Sequence, residues 1–201
     1  MLNRRSTKMM ARYALGGALV ALSLASVPVH AAGAELTEDQ IISNLQGIEA
    51  NAAAIDAAVL AQEALAHVGK PPGTPMPPNW AALSGFPQLT VEINFQYDSI
   101  AIVPESYRAL GLMADALHHP ILLGNKFLIV GHTDAKGDAK YNLTLSQKRA
   151  DAIREILSTT FAVAPSRLAT VGVGEELPID AAHPDAAINR RVQVINIGTV
   201  K

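Results

Sequence analysis

The sequence predicts an α+β domain in which two helices cover one face of a small mixed sheet, in the order β-α-β-α-β-β, preceded by an N-terminal helix. Three observations predict it. Leu89, Val91, Ile93 and Phe95 alternate with Thr90, Glu92, Asn94 and Gln96, the pattern of a strand with one buried face. Phe127-Leu-Ile-Val130 is a short unbroken apolar run, the pattern of a buried strand. Leu110, Met113, Ala114 and Leu117, and then Ile153, Ile156 and Leu157, form apolar stripes at helical spacing on either side of that run.

The chain has 201 residues, of which 49% are hydrophobic and only 4% aromatic, so the core must be aliphatic. It has no cysteine. That excludes a disulfide framework, a thiolate metal site, a thiol nucleophile and a lipid-modified N-terminal cysteine.

Residues 1–31 read as a secretory signal peptide. Arg4, Arg5, Lys8 and Arg12 form its basic start, an uncharged stretch from Tyr13 to Val27 follows, and Val29-His30-Ala31 ends in a small residue. The apolar run falls short of the ~20 residues of a membrane span, which favours cleavage after Ala31 over a retained anchor helix. After cleavage no transmembrane span is expected. Cleavage leaves 12 basic against 18 acidic side chains, a formal charge of −6. That balance argues against nucleic acid, which requires a basic footprint.

Residues 32–68 form a helical segment. The helix is expected over 36–68, with Thr37 as N-cap and Gln40 completing a capping box. Ile41, Leu45, Ile48, Ala52, Ile55 and Val59 make a heptad-like seam. This helix either docks on its own domain or pairs, giving a homodimer or holding another envelope protein. Residues 69–88 contain six prolines and read as a Pro-rich linker unable to build a helix or a central strand. Trp80 within it is expected to anchor the linker to the domain.

The C-terminal domain is expected over 89–201. Pro104 and Glu105 suit the first turn of its first helix. His118 and His119 end that helix beside Pro120 and are expected to cap its last carbonyls. The second helix runs to about Thr160. Leu168 to Val173 is the next strand, and Arg191-Val-Gln-Val-Ile-Asn-Ile197 the last.

The stretch from Gly131 to Ala150 joins the apolar strand to the second helix, and it carries the chemistry. Asp134 sits at the strand's end, and Gly137 permits a tight turn. Ser146 is expected to cap the helix, which places Arg149 in its first turn against the helix dipole. A cation kept there points to an anionic partner, either Asp134 or a ligand carboxylate. A catalytic reading is weaker. His132 and Asp134 lack a third metal ligand, and no nucleophile turn or oxyanion loop accompanies Ser146. Neither a metal nor a cofactor is called for, and the chain is read as no enzyme.

Gly131-His-Thr-Asp134-x-x-Gly137, Tyr141-Asn142-x-x-Leu145-Ser146-x-x-Arg149-Ala150, Gly172-x-Gly174-Glu175 and Asn189-Arg190-Arg191-Val192 together resemble the OmpA-like C-terminal domain family. The resemblance covers about residues 89–198. It implies non-catalytic binding of peptidoglycan in the periplasm, at the cell wall or outer membrane. It also implies that the residues matching Asp134 and Arg149 hold the diaminopimelate of the stem peptide, with Thr133 and Asn142 lining the pocket. Phe95 matches the phenylalanine of the family's Phe-Asp pair. Here that pair is Phe95-Gln96, and the next acid is Asp98. Diaminopimelate presents an ammonium and a carboxylate on one carbon, which one carboxylate and one forked guanidinium suit. Arg190 is expected either to reach the site or, as the favoured alternative, to pair with Glu175. Residues 32–88 are too few for the eight strands of about ten residues of the smallest outer-membrane barrel. The rival reading is an envelope interaction protein working through its N-terminal helix, with wall binding secondary.

Overall fold

A computed structural model describes residues 36–47, 55–70, 74–96 and 99–199. The expected signal peptide, Ile48 and Ala52 of the seam, and Asp98 lie outside the described residues. Nine elements follow: α1 (Glu38–Leu45), α2 (Ala57–His67), α3 (Pro78–Ala82), β1 (Gln88–Val91), α4 (Tyr107–His118), β2 (Asn125–His132), α5 (Ala139–Thr159), β3 (Leu168–Gly174) and β4 (Val192–Thr199). The class is α+β, with one mixed sheet in the order β1-β4-β2-β3. β4 runs antiparallel to both β1 and β2, while β2 and β3 are parallel. β1, β2 and β3 therefore point the same way, and the loops that follow them leave from one end of the sheet.

The two-residue alternation of the strands builds two cores. Leu89, Val91, Phe127, Ile129, Val192 and Val194 face α1, α4 and α5, together with Leu110, Met113, Leu117, Ile153 and Leu157. Leu128, Val130, Val171, Val173 and Ile195 face the other way, onto Leu60, Ala64, Trp80 and Leu83. The first face packs unusually close. A β-carbon on Gly131 would overlap the backbone carbonyl of Ser146, and one on Gly172 would overlap the backbone nitrogen of Gln147. Only glycine lets α5 lie this near the strands.

Several expectations need correcting. The first is the continuous helix over 36–68. The capping box at its start is present, with Thr37 and Gln40 bonded reciprocally. The helix nevertheless stops at Leu45, because Gln46 is extended and Gly47 adopts a φ of 106°. Ile41 and Leu45 are fully buried against α4 and β1, whereas Leu60 and Ala64 of α2 are buried on the opposite face. One straight helix cannot touch both faces. Ile41 and Leu45 are thus withdrawn from any homodimer or partner seam along residues 36–68, and docking is what α1 does.

The second concerns the proline-rich stretch. Pro78 opens a helix, since the first helical position needs no N–H. Trp80 within that helix is buried, and its indole N–H donates to the Leu60 carbonyl at 3.1 Å. The third concerns the first strand. β1 ends at Val91 because its partner begins there, Val91 pairing with Val192. Beyond it Phe95 makes only an isolated bridge to Ile102.

The far end of the sheet is tied by Arg167. Its buried guanidinium donates to the carbonyls of Leu117, Leu122 and Asn125 at 3.0, 2.7 and 2.9 Å. The C-terminus of α4 is thereby satisfied from another element. His118 does not cap its own helix, because its Nε2 lies 3.5 Å from the Ala162 carbonyl.

A candidate ligand-binding site at the carboxyl ends of the strands

Three loops converge where β1, β2 and β3 end. The loop after β2 carries Thr133 and Asp134. The loop after β1 carries Phe95 and Ser99. The loop after β3 carries Glu175 and returns to β4 through Asn189, Arg190 and Arg191. Such crevices at strand ends are a general place for ligands in sheets with crossover helices.

Asp138 caps α5, accepting from the Tyr141 N–H at 2.9 Å. The expectation that Ser146 caps this helix is therefore wrong. Ser146 lies well inside α5, fully buried, and its hydroxyl accepts from the Gly174 N–H while donating to the Leu143 carbonyl. Arg149 is consequently not in the first turn, and the helix dipole does not act against it. Something more direct places it. Its guanidinium lies 4.7 Å from the centre of the Phe95 ring, and its Nε donates to the Ser99 carbonyl at 3.3 Å. Both groups come from the loop after β1.

Asp134 is buried, and its partner is Arg190. Nη1 of Arg190 donates to Oδ2 at 2.6 Å, and the Lys136 N–H donates to Oδ1 at 3.3 Å. Of Arg190's two expected positions, the structure takes the one at the site. The favoured pairing with Glu175 is not made, because Asn142 occupies that carboxylate, its Nδ2 lying 2.6 Å from Oε2. The same amide lies within hydrogen-bond distance of the Asp134 and Lys136 carbonyls, at 3.3 and 3.1 Å. Asn142 is therefore a buried clamp on the Asp134 loop. Thr133 is anchored by its N–H to the Gly174 carbonyl at 2.8 Å. Its hydroxyl is buried with no hydrogen-bond partner among the described residues.

Asn189 clamps the facing loop in the same manner. Its amide nitrogen lies 3.3, 3.0 and 3.1 Å from the carbonyls of Asp180, His183 and Pro184. Arg191 turns inward and bonds the carbonyls of Leu177 and Asn189. Burial pushes its guanidinium down to about 10. Pro184 in turn accepts from the Ala135 N–H at 2.9 Å, joining the two loops. His132 points away from Asp134, onto the second face, where its Nε2 lies 3.3 Å from Gln193 Oε1. Burial, then the Arg191 charge, holds its imidazole well below the ordinary histidine range.

Sequence reasoning missed the roles of Glu175, Asn189 and Arg191. One signal was available for the arginine pair. Successive residues entering a strand face opposite ways. Val192 faces α5, so Arg190 belongs on that side and Arg191 on the other.

The model of the OmpA family matches residues 94–191, a segment that contains every candidate site residue. Outer membrane porin F of Pseudomonas fluorescens is 35% identical over 109 residues, which make up 53% of this chain and 32% of the porin. The peptidoglycan-associated lipoprotein of Pseudomonas aeruginosa is 36% identical over 102 residues, 50% of this chain and 58% of the lipoprotein. The solved structure of the peptidoglycan-associated lipoprotein from Burkholderia pseudomallei is 33% identical, with 52% of this chain and 87% of that one aligned at a TM-score of 0.43. The chain thus spans about a third of the porin and somewhat over half of the lipoprotein from Pseudomonas aeruginosa. The domain built around the Asp134 loop, over residues 94–191, belongs to the OmpA family.

Proposed function

We propose that this chain binds peptidoglycan without cleaving it and is held by that contact at the cell wall, in the periplasm. Asp134 receives the ammonium of a stem-peptide diaminopimelate, and Arg149 receives the carboxylate on the same carbon. The observation that carries this reading is the Thr133–Asp134 corner. A carboxylate is presented on a clamped loop, beside a buried hydroxyl with no partner among the described residues. Leaving such a hydroxyl unsatisfied costs roughly 1–3 kcal/mol, which a bound polar group would recover. Phe95 and Ser99 hold Arg149 in one orientation, which suits a planar carboxylate. The names of the lipoprotein relatives, which are peptidoglycan-associated, support the same ligand. A binding role needs no acid–base pair. The imidazole nearest in sequence to Asp134 is bonded on the opposite side of the sheet.

Retention on purified sacculi, measured beside the melting temperature, tests the assignment. Asp134→Ala is expected to lose about 2–5 kcal/mol of binding, as truncating one partner of a desolvated charge pair does. That is roughly 30-fold or more in affinity. Arg149→Lys is also expected to fail, since a point charge does not replace the fork. A folded Asp134→Ala protein that is retained like the native chain would falsify the assignment.

A further inference from the structure

The carboxylate assigned to the ligand is already occupied in the chain alone. Arg190 holds Oδ2 of Asp134 at 2.6 Å, and the two side chains are 48% and 10% exposed. The carboxylate thus lies behind a guanidinium that faces solvent. Arg190 approaches Asp134 through Nη1. Its Nη2 and Nε make no hydrogen bond among the described residues. A ligand cation that takes up Oδ2 of Asp134 competes with Nη1 for that oxygen.

The balance of that exchange depends on what the ligand carries beside its cation. A plain ammonium replaces one charge-assisted bond by another and leaves Arg190 without an anion. An α-amino-acid centre brings its own carboxylate. The ammonium goes to Asp134, and the carboxylate that Arg149 receives also meets the freed fork, so Arg190 keeps an anionic partner.

From this exchange we infer that Arg190 is a specificity-determining residue of the site. It guards Asp134 against simple amines and admits a zwitterionic amino-acid end. Diaminopimelate has such an end, and a lysine at the same place in a stem peptide has only the ammonium. The inference rests on the assignment of Asp134 to wall binding and adds the selection rule.

The test is calorimetric titration of the full chain with two soluble stem tripeptides, identical except for meso-diaminopimelate or lysine as third residue. The native chain is expected to favour the diaminopimelate peptide by about tenfold or more. In Arg190→Gln the preference should shrink by about fivefold or more, the lysine peptide binding more tightly than to the native chain. Arg190→Lys keeps the charge without the fork and should fall between them. It also serves if Arg190→Gln melts early. If the native chain binds both peptides equally, or a folded Arg190→Gln protein keeps the native ratio, the selection rule is overturned and the wall-binding assignment stands. If the native chain binds neither peptide, the assignment itself falls, and the rule with it.

Discussion

The two faces of the sheet are buried by opposite means. On the first, α5 lies against the strands at Gly131 and Gly172, where there is no room for a β-carbon. On the second, side chains of α2, α3 and the turn after it reach down to the sheet, with Trp80 the largest of them. The first face is therefore intolerant of added atoms and the second of removed ones. The division follows the family boundary. α5 lies within residues 94–191, whereas the cover of the second face, residues 57–83, lies outside them. Close seating belongs to the helix that carries Arg149, whose position matters on the proposed assignment.

The largest expected effect is on the second face. Trp80→Ala should cost about 3–5 kcal/mol in urea unfolding, the usual range for a buried aromatic truncated to alanine. The folded fraction should still bind sacculi. A cost under about 1 kcal/mol would mean that this cover is ornamental and that the contrast between the faces fails. Next comes Gly172→Ala, expected to cost about 1–3 kcal/mol by overpacking. Here binding should fall further than stability explains, because α5 must retreat and Arg149 travels with it. Unchanged binding in a destabilised Gly172→Ala protein would separate the seating of α5 from the site.

The smallest effect concerns pH and the polar end of the second face. His132 is buried beside Gln193 and Arg191, and its folded-state pKa is depressed. Well above pH 6.5, roughly the unfolded value, the imidazole is neutral in both folded and unfolded chains and contributes no pH dependence. Below that, the unfolded chain takes up the proton first. Stability then falls by up to about 1.4 kcal/mol per pH unit until the folded imidazole titrates too. His132→Gln should flatten this limb between about pH 6.5 and 5. A variant whose limb matches the native one would show that His132 titrates normally in the fold.

What the sequence made legible was local. The capping box at Thr37 lies within one turn, and the run Phe127–Val130 needs no partner to be recognised as buried. Trp80 was legible as an anchor because one large apolar side chain amid prolines has few other uses. The break at Gly47 was not, because the alanine-rich spacing continues across it, and only the location of the two burial faces forbids a straight helix. Ser146 misled for a similar reason. Serine suits an N-cap, but here its hydroxyl serves the Gly174 N–H, 28 residues away. The partner of Asp134 lies 56 residues downstream, a pairing that no periodicity encodes. The motifs marked out the candidate site, whereas the assignment of partners within it depended on how the sheet closes.

That closure has an order in time. β4 follows the other three strands in sequence yet lies between β1 and β2. Gln88 waits for Ile195 before β1 has any partner in the sheet. While the chain emerges, β2 and β3 can pair around α5, but one edge of β2 stays open and β1 remains unpaired. Loop closure over about a hundred residues is entropically costly and slow compared with local pairing. A chain of this topology becomes a complete sheet only when its final strand slides into the middle, between an unpaired β1 and the open edge of β2.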